Sequence, residues 1–317
     1  MAFYTGQASS YSELLNVLVN SCVLQGWTWS DGILSKEKAF VRPYVSSSQV
    51  VEQGPGLCIE GGTGKSGNTL VNPSLARPRL GGIGLPPAIV PAPIFPLKYN
   101  LFIFNNPNEV FLIVRYDIDR FMFLSFGYST ISGCGLWLSA TVSKGYNDYN
   151  YTGFESTKGF SIGVNSGGEM NVNPARAVAT AFFWQTMPQS SELTSNSACF
   201  IELENIGWAY PPKNIINAVN TIQPHIGRLP SKWSSNSPLL AIQPILVRQQ
   251  NKQSIVAEIQ NARYMRIDNY EPEQIITLGN DRWMVLPFHK KNLSFRDGVL
   301  PSDHSGTFGW AIRYEGP

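Results

Sequence analysis

Apolar residues change their spacing twice along this chain. Leu14, Leu15, Leu18 and Cys22 recur at steps of three and four residues, which puts them on one face of a helix. Ser10 stands three residues before Glu13, the spacing of a capping box, and Gly26 falls where a chain leaves a helix. The pattern predicts one amphipathic helix from Ser10 to Gln25. Trp27, Trp29, Ile33 and Leu34 then flank a Ser30-Asp31-Gly32 turn and lead into Ala39–Val45, so the chain opens as a short helix-containing α/β segment.

From Leu101 onward the pattern is that of strands. Val110–Val114, Phe121–Phe126 and Gly135–Val142 are continuous apolar runs of strand length. Runs without polar alternation predict strands covered on both faces. Val178–Thr186, Cys199–Trp208, Leu239–Arg248, Gln274–Leu278 and Trp283–Phe288 are further strand candidates, and Ile255–Arg263 fits helix or strand. Near the other end, Phe308, Trp310, Ile312 and Tyr314 alternate with Gly309, Ala311 and Arg313, which is strand periodicity. Many short strands separated by turns predict a mainly β chain with a β-sandwich or barrel-like body.

Residues 46–98 fit neither period. Gly54, Gly56, Gly61, Gly62, Gly64 and Gly67 precede Pro73, Pro78, Pro86, Pro87, Pro91, Pro93 and Pro96, and so many breakers preclude a long helix or a central strand. The chain thus divides by composition into a helix–strand docking segment (1–45), a Gly/Pro-rich arm or extended loop (46–98) and a β-rich body (99–317). The middle part reads either as a surface excursion with short strands or as an arm lying on a neighbouring subunit.

Composition narrows the function. Of 317 residues only 15% are charged and 12% are aromatic, and a surface so poor in charge fits one covered by neighbours. The net charge of +2 supplies no field for nucleic acid or anionic lipid. The apolar stretch Leu14–Leu24 is interrupted by Asn16 and Asn20 and is too short to span a bilayer, so neither a membrane partner nor a targeting segment is expected. Cys22, Cys58, Cys134 and Cys199 lack the paired spacing of a structural zinc site and are expected as buried thiols of a protein made in a reducing cytoplasm.

Several patterns invite a catalytic reading. Gly61–Gly67, with Lys65 and Ser66, resembles a phosphate loop, but Ile59 stands where the first glycine belongs and prolines follow instead of a helix. Asp303, His304 and Ser305 are triad residue types, yet their adjacency suits a turn before the last strand better than convergence in space. His225 and His289 are isolated, and no metal site or cofactor is expected. Asp117 and Asp119 read as strand-turn residues pairing with Arg115 and Arg120. A polysaccharide hydrolase needs two converging carboxylates, for which Glu202 with Glu204 or Asp117 with Asp119 are the candidates. No catalytic residue is expected.

The eight tryptophans mostly sit within apolar strands, where burial in a core or an interface is the expectation. Trp233, in a polar loop, is the best placed for stacking on a host-surface glycan. The interface candidates are Phe3, Tyr4, Trp233, Phe308, Trp310 and Tyr314, all in the terminal aromatic stretches or a loop.

Met1–Gly6, Gln25-Gly-Trp-Thr-Trp29, Gly32–Lys36, Asn108–Tyr116, Phe121–Gly127 and Ser305–Tyr314 resemble segments of a family of tailed-bacteriophage and prophage virion structural proteins. The resemblance implies a non-enzymatic building block of a phage particle, placed at the tail tip or baseplate, with a head or neck position as the alternative. Its implied partners are further copies of itself and other virion proteins. A receptor- or carbohydrate-binding module is a separate reading that the aromatic content keeps open.

Overall fold

The computed structural model describes residues 1–46, 55–74, 78–81, 93–118, 120–141, 199–204, 206–209, 215–217, 238–247, 252–287 and 308–317. Strand β1 (Ala2–Ala8) precedes helix α1 (Tyr11–Leu24), followed by β2 (Thr28–Ser30), β3 (Ile33–Lys36) and β4 (Ala39–Ser46). The Gly/Pro-rich stretch holds β5 (Gly56–Gly62), β6 (Gly64–Ser66), β7 (Thr69–Val71) and β8 (Arg79–Gly81). Long strands follow: β9 (Leu97–Asn105), β10 (Asn108–Asp117), β11 (Arg120–Tyr128) and β12 (Cys134–Ala140). Then come β13 (Cys199–Leu203), β14 (Gly207–Ala209), β15 (Ile215–Asn217), β16 (Leu240–Ile242), β17 (Pro244–Val247) and β18 (Gln253–Ile255). The last are β19 (Ile259–Arg266), β20 (Ile275–Leu278), β21 (Asp281–Pro287) and β22 (Phe308–Arg313). The fold is mainly β, as expected.

A central antiparallel sheet in the order β1-β9-β10-β11-β12-β13-β14 organises the rest. Because side chains alternate across a strand, its residues feed two separate cores. Leu101 and Ile103, Val110, Leu112 and Val114, Met122 and Leu124, and Leu136 and Leu138 enter one core. That core is closed by α1 and by residues of the small sheet β2-β3-β4-β5-β8. Phe102 and Phe104, Phe111 and Ile113, Phe121 and Phe123, and Trp137 enter the other core, closed by the sheet β16-β19-β22-β21-β20. The continuous apolar runs of β10 and β11 are therefore strands covered on both faces, as their sequence predicts. Burying side chains on both sides stabilises by about 1.5–3 kcal/mol for each large one removed from water.

Helix α1 runs as its sequence predicts. The Ser10 hydroxyl accepts from Glu13 N at 3.1 Å as the N-cap. The Glu13 carboxylate, however, reaches back to Ser9, whose backbone N–H donates to it at 2.7 Å, so the reciprocal half of the box is displaced by one residue. At the other end Gly26 adopts φ 83, with Gly26 N donating to Val23 O and Trp27 N to Cys22 O, each at 3.0 Å. This left-handed exit directs Trp27 into the first core, where its ring lies edge-on to Phe126 at 5.4 Å.

Two carboxylates lock the central sheet to the second sheet. Glu109 on β10 is fully buried and accepts hydrogen bonds from Gln260 N (2.8 Å), Asn261 N (2.9 Å) and Asn261 Nδ2 (2.9 Å) at the start of β19. Burial pushes its carboxyl up to about 7, against the pull of these donors and of the Arg263 guanidinium. Glu273, before β20, accepts from Lys98 Nζ (3.0 Å), Asn100 Nδ2 (2.6 Å) and Arg115 Nη1 (3.3 Å).

Packing does not follow the division by composition. β1 pairs with β9 from Ala2↔Ile103 to Ala8↔Leu97, and α1 contributes to the first core, so residues 1–45 are joined to the body by hydrogen bonds and burial. Within 46–98, β5 pairs with β4 along its length and its seven residues are all buried. Within that stretch β5 and β8 belong to the chain's own small sheet, β6 and β7 form a separate hairpin, and β9 of the central sheet begins at Leu97. Cys199–Trp208 is likewise two strands, since Ile206 N donates to Leu203 O in a turn between them. Ile255–Arg263 resolves as strand, with β19 beginning at Ile259. Val178–Thr186 lies outside the described residues.

Two outcomes test this packing. A Cβ at Gly127 would lie 2.5 Å from Trp137 Cζ2 and 2.7 Å from Asn108 O. Gly127→Ala is therefore expected to lower stability by about 1–3 kcal/mol in denaturant melts, with the m-value unchanged. Glu109 titrates at about 7 in the fold against an ordinary 4.5. The folded state then keeps a proton that the unfolded chain releases, so stability is full below about 4.5 and falls as pH rises to about 7. Chemical denaturation at a series of pH values should show that decline in the wild type and a flatter profile in Glu109→Gln.

Candidate functional site

A polar cleft of ≈ 420 Å³ opens where the β11–β12 turn meets the end of β13. Tyr128 to Cys134 form one wall, Glu202 and Glu204 another, and Lys38 and Thr63 from the small-sheet side complete it. The turn is rigidly held: the Ser129 hydroxyl donates to Val256 O at 2.9 Å and accepts from Ile131 N at 3.1 Å. Cys134 N donates to Ile131 O at 3.1 Å, and Glu204 N to Gly133 O at 3.0 Å, which ties the two walls together. The register between β12 and β13 shifts between Cys134 and Trp137, and this irregularity turns Glu202 across the backbone of Gly135. A Cβ at Gly135 would overlap Glu202 Oε2.

Electrostatics inside the cleft favour neutral forms. Burial first, and then the neighbouring Glu204 carboxylate, raises the Glu202 carboxyl above the ordinary carboxylate range. The Tyr128 phenol is raised by burial, then by Glu202, Glu204 and Cys134, and the Cys134 thiol by burial and Glu202. Such a site offers carboxyl, phenol and hydroxyl groups to a polar ligand. Among the described residues no group of three or more histidine, cysteine, aspartate or glutamate side chains is arranged to hold a metal ion.

Of the sequence-derived candidates, the structure brings Phe3, Trp310 and Tyr314 together, but inside the chain. Trp310 is fully buried, its ring 5.2 Å from Phe123 and 6.1 Å from Phe111. Tyr314 is buried against the half-buried Phe3 with ring centroids 5.0 Å apart, and its hydroxyl donates to Pro317 O at 2.9 Å. These rings serve the second core: the alternation that marks them as one face of a strand does not say whether that face is covered. Tyr4 is half-buried against the first core, and its hydroxyl accepts from Gln25 Nε2 at 2.8 Å. Phe308 pairs with Arg266 through the backbone of β22, and its side chain lies outside the described residues, as does Trp233.

The remaining motifs resolve as structure. Gly61 and Gly62 end β5, and a β6–β7 hairpin turning at Gly67 (φ 57) follows where a phosphate loop needs a helix. A Cβ at Gly61 would lie 2.7 Å from both Leu136 Cδ2 and Trp208 Cη2, so that glycine admits the small sheet onto the central one. Asp117 caps its own turn, accepting from Ile118 N at 2.7 Å, with Arg120 Nε 3.7 Å away. Arg115 turns instead to Glu273 at 3.3 Å. Asp119, His225, His289, Asp303, His304 and Ser305 lie outside the described residues. Cys22 and Cys58 are buried as thiols, as expected, whereas Cys134 borders the cleft. Sequence reasoning missed the cleft's polar turn, because Ser129–Cys134 read there only as a connection between strands.

The coupling between the two cleft carboxylates is measurable. In a carbon-detected NMR titration the Glu202 carboxyl should titrate above the ordinary range, and Glu204→Gln should move it down by removing the like charge. An unmoved Glu202 would show that burial alone sets its titration. Scanned against protein-family models and searched against curated proteins, the sequence returned no match.

Proposed function

We propose that this chain is a structural subunit of a tailed-phage particle, positioned at the tail tip or baseplate and acting through subunit–subunit contacts without catalysis. The observation that carries the reading is where the family-like segments fall. Asn108–Tyr116 and Phe121–Gly127 are β10 and β11, the two-faced centre of the body. Met1–Gly6 contains most of the edge strand β1, and the described part of Ser305–Tyr314 is β22, the middle strand of the second sheet. The likeness therefore tracks the framework and stops short of the cleft, whose wall begins at Tyr128. A part whose kinship lies in its framework fits a role in which shape is what matters. The low charge content adds to this, because desolvating few charged groups lowers the cost of burial between subunits.

The cleft favours one other reading, a glycan-binding module. A polar concavity with paired carboxylates and a tyrosine is suited to the hydroxyl groups of a sugar. In that case a glycan array should give hits that disappear in the Glu202→Gln/Glu204→Gln double variant.

Location decides the leading reading. Particles purified from producing cells should contain this chain in a fixed ratio to tail proteins, with gold-labelled antibody at the tail end in electron micrographs. Label on the head or neck would move the position within the particle. Recovery of the chain only as free protein, with none in particles, would overturn the reading.

A further inference from the structure

Residues 1–30 contain a single charged side chain, Glu13. That carboxylate is engaged at the start of α1 by the backbone N–H of Ser9. The same thirty residues form three elements along one border of the molecule. β1 is the edge strand of the central sheet among the described residues. α1 lies over that end of the sheet, tied to it where Gln25 Nε2 donates to the Tyr4 hydroxyl. β2 adjoins the end of the helix. Charged side chains and proline are the usual devices that keep a free edge strand from pairing with another chain, and β1 (Ala-Phe-Tyr-Thr-Gly-Gln-Ala) has neither.

The outward face of α1 is equally plain. Asn16 and Asn20 are exposed along it, and Val23 and Leu24 end it, Leu24 being 73% exposed. Trp29 on β2 is 40% exposed beside them in the chain. Solvated helix faces ordinarily carry lysine, arginine or glutamate. Here a seven-residue strand that is an edge among the described residues adjoins a partly apolar helix whose one charged side chain is Glu13 in its first turn.

We propose that this border is a self-association surface, with β1 of one copy pairing antiparallel to β1 of a second copy and the two α1 helices flanking the junction. Self-pairing is what the strand's own sequence accommodates. Centred on Thr5, it sets Thr5 opposite Thr5, Tyr4 opposite Gly6, Phe3 opposite Gln7 and Ala2 opposite Ala8. No like charges face each other, and a threonine pair on the axis is a favourable cross-strand neighbour. A two-fold contact repeats each residue's environment on both sides, so a border poor in charge meets its like and loses little ion hydration. Backbone hydrogen bonds supply the register, and Leu24 and Trp29 add apolar area at the flank. This contact deepens the subunit reading above but does not depend on it.

Sedimentation equilibrium and light scattering on the full chain test it. At roughly 50 μM the wild type should have twice the monomer mass. Gln7→Glu, which places a charge on the edge beside Lys98 of β9, and Leu24→Glu, which places one on the helix flank, should each weaken the dimer at least about tenfold while circular dichroism and melting temperature stay near wild type. Ile206→Glu, an exposed position at the β13–β14 turn, should remain dimeric as the control. A monomeric wild type at that concentration, or a dimer retained in either β1 or α1 variant, would overturn the proposal. A monomer that still enters particles would sink this contact and leave the subunit reading standing.

Discussion

Burial of the central sheet on both faces is the constraint from which the rest of this structure follows. Every residue of β10 from Asn108 to Val114 is buried, alternating between the core closed by α1 with the small sheet and the core closed by β16, β19, β22, β21 and β20. A strand so placed admits a polar side chain only if its partners come with it. Glu109 meets that condition with three N–H donors from β19, and Asn100 on β9 meets it through Glu273. The same constraint makes Gly127 obligatory beside Trp137, since the ring of one strand fills the space over the other. It also explains why β22 must supply Trp310 and Ile312 inward, where they close the second core.

Local patterns were legible wherever local physics decides. The helix boundaries, the left-handed exit at Gly26, the two-faced nature of β10 and β11 and the strand at Phe308–Arg313 all follow from spacing that a single segment carries. Pairing between distant segments left no such mark. β1 finds β9 far along the chain, from Ala2↔Ile103 to Ala8↔Leu97, and nothing in either segment names the other. Breakers dominate the Gly/Pro-rich stretch and predict a loop or arm, yet β5 uses Gly61 and Gly62 to sit close against neighbours. Period-two alternation put Trp310 and Tyr314 on one face but could not reveal that the central sheet covers it. The cleft was hidden for a similar reason: it depends on a register shift between β12 and β13, which exists only once the strands pair.

These features divide the molecule by purpose. Its interior spends most of its aromatic side chains and two of its carboxylates on joining layers, leaving a body with little internal give. Its exterior is sparing in charge, most of all along β1, α1 and β2. A border sparing in charge suits repeated docking, since few charged groups lose hydration on contact. The cleft beside Glu202 stands apart from that border in the chain, so ligand recognition there and assembly elsewhere are compatible in one subunit.

The central claim is that the two-faced sheet is the last part of the molecule to open. Native-state hydrogen exchange resolves this residue by residue. Amides of Val110–Val114 and Met122–Phe126 should exchange only through global unfolding, with opening free energies equal to the stability from denaturation. Amides of β2–β4 and of β20–β21 should open at lower cost, because each belongs to a layer packed on the centre. If the second sheet outlasts β10 and β11, or if β10 and β11 exchange at a lower free energy than global unfolding, the central sheet is not what holds this fold.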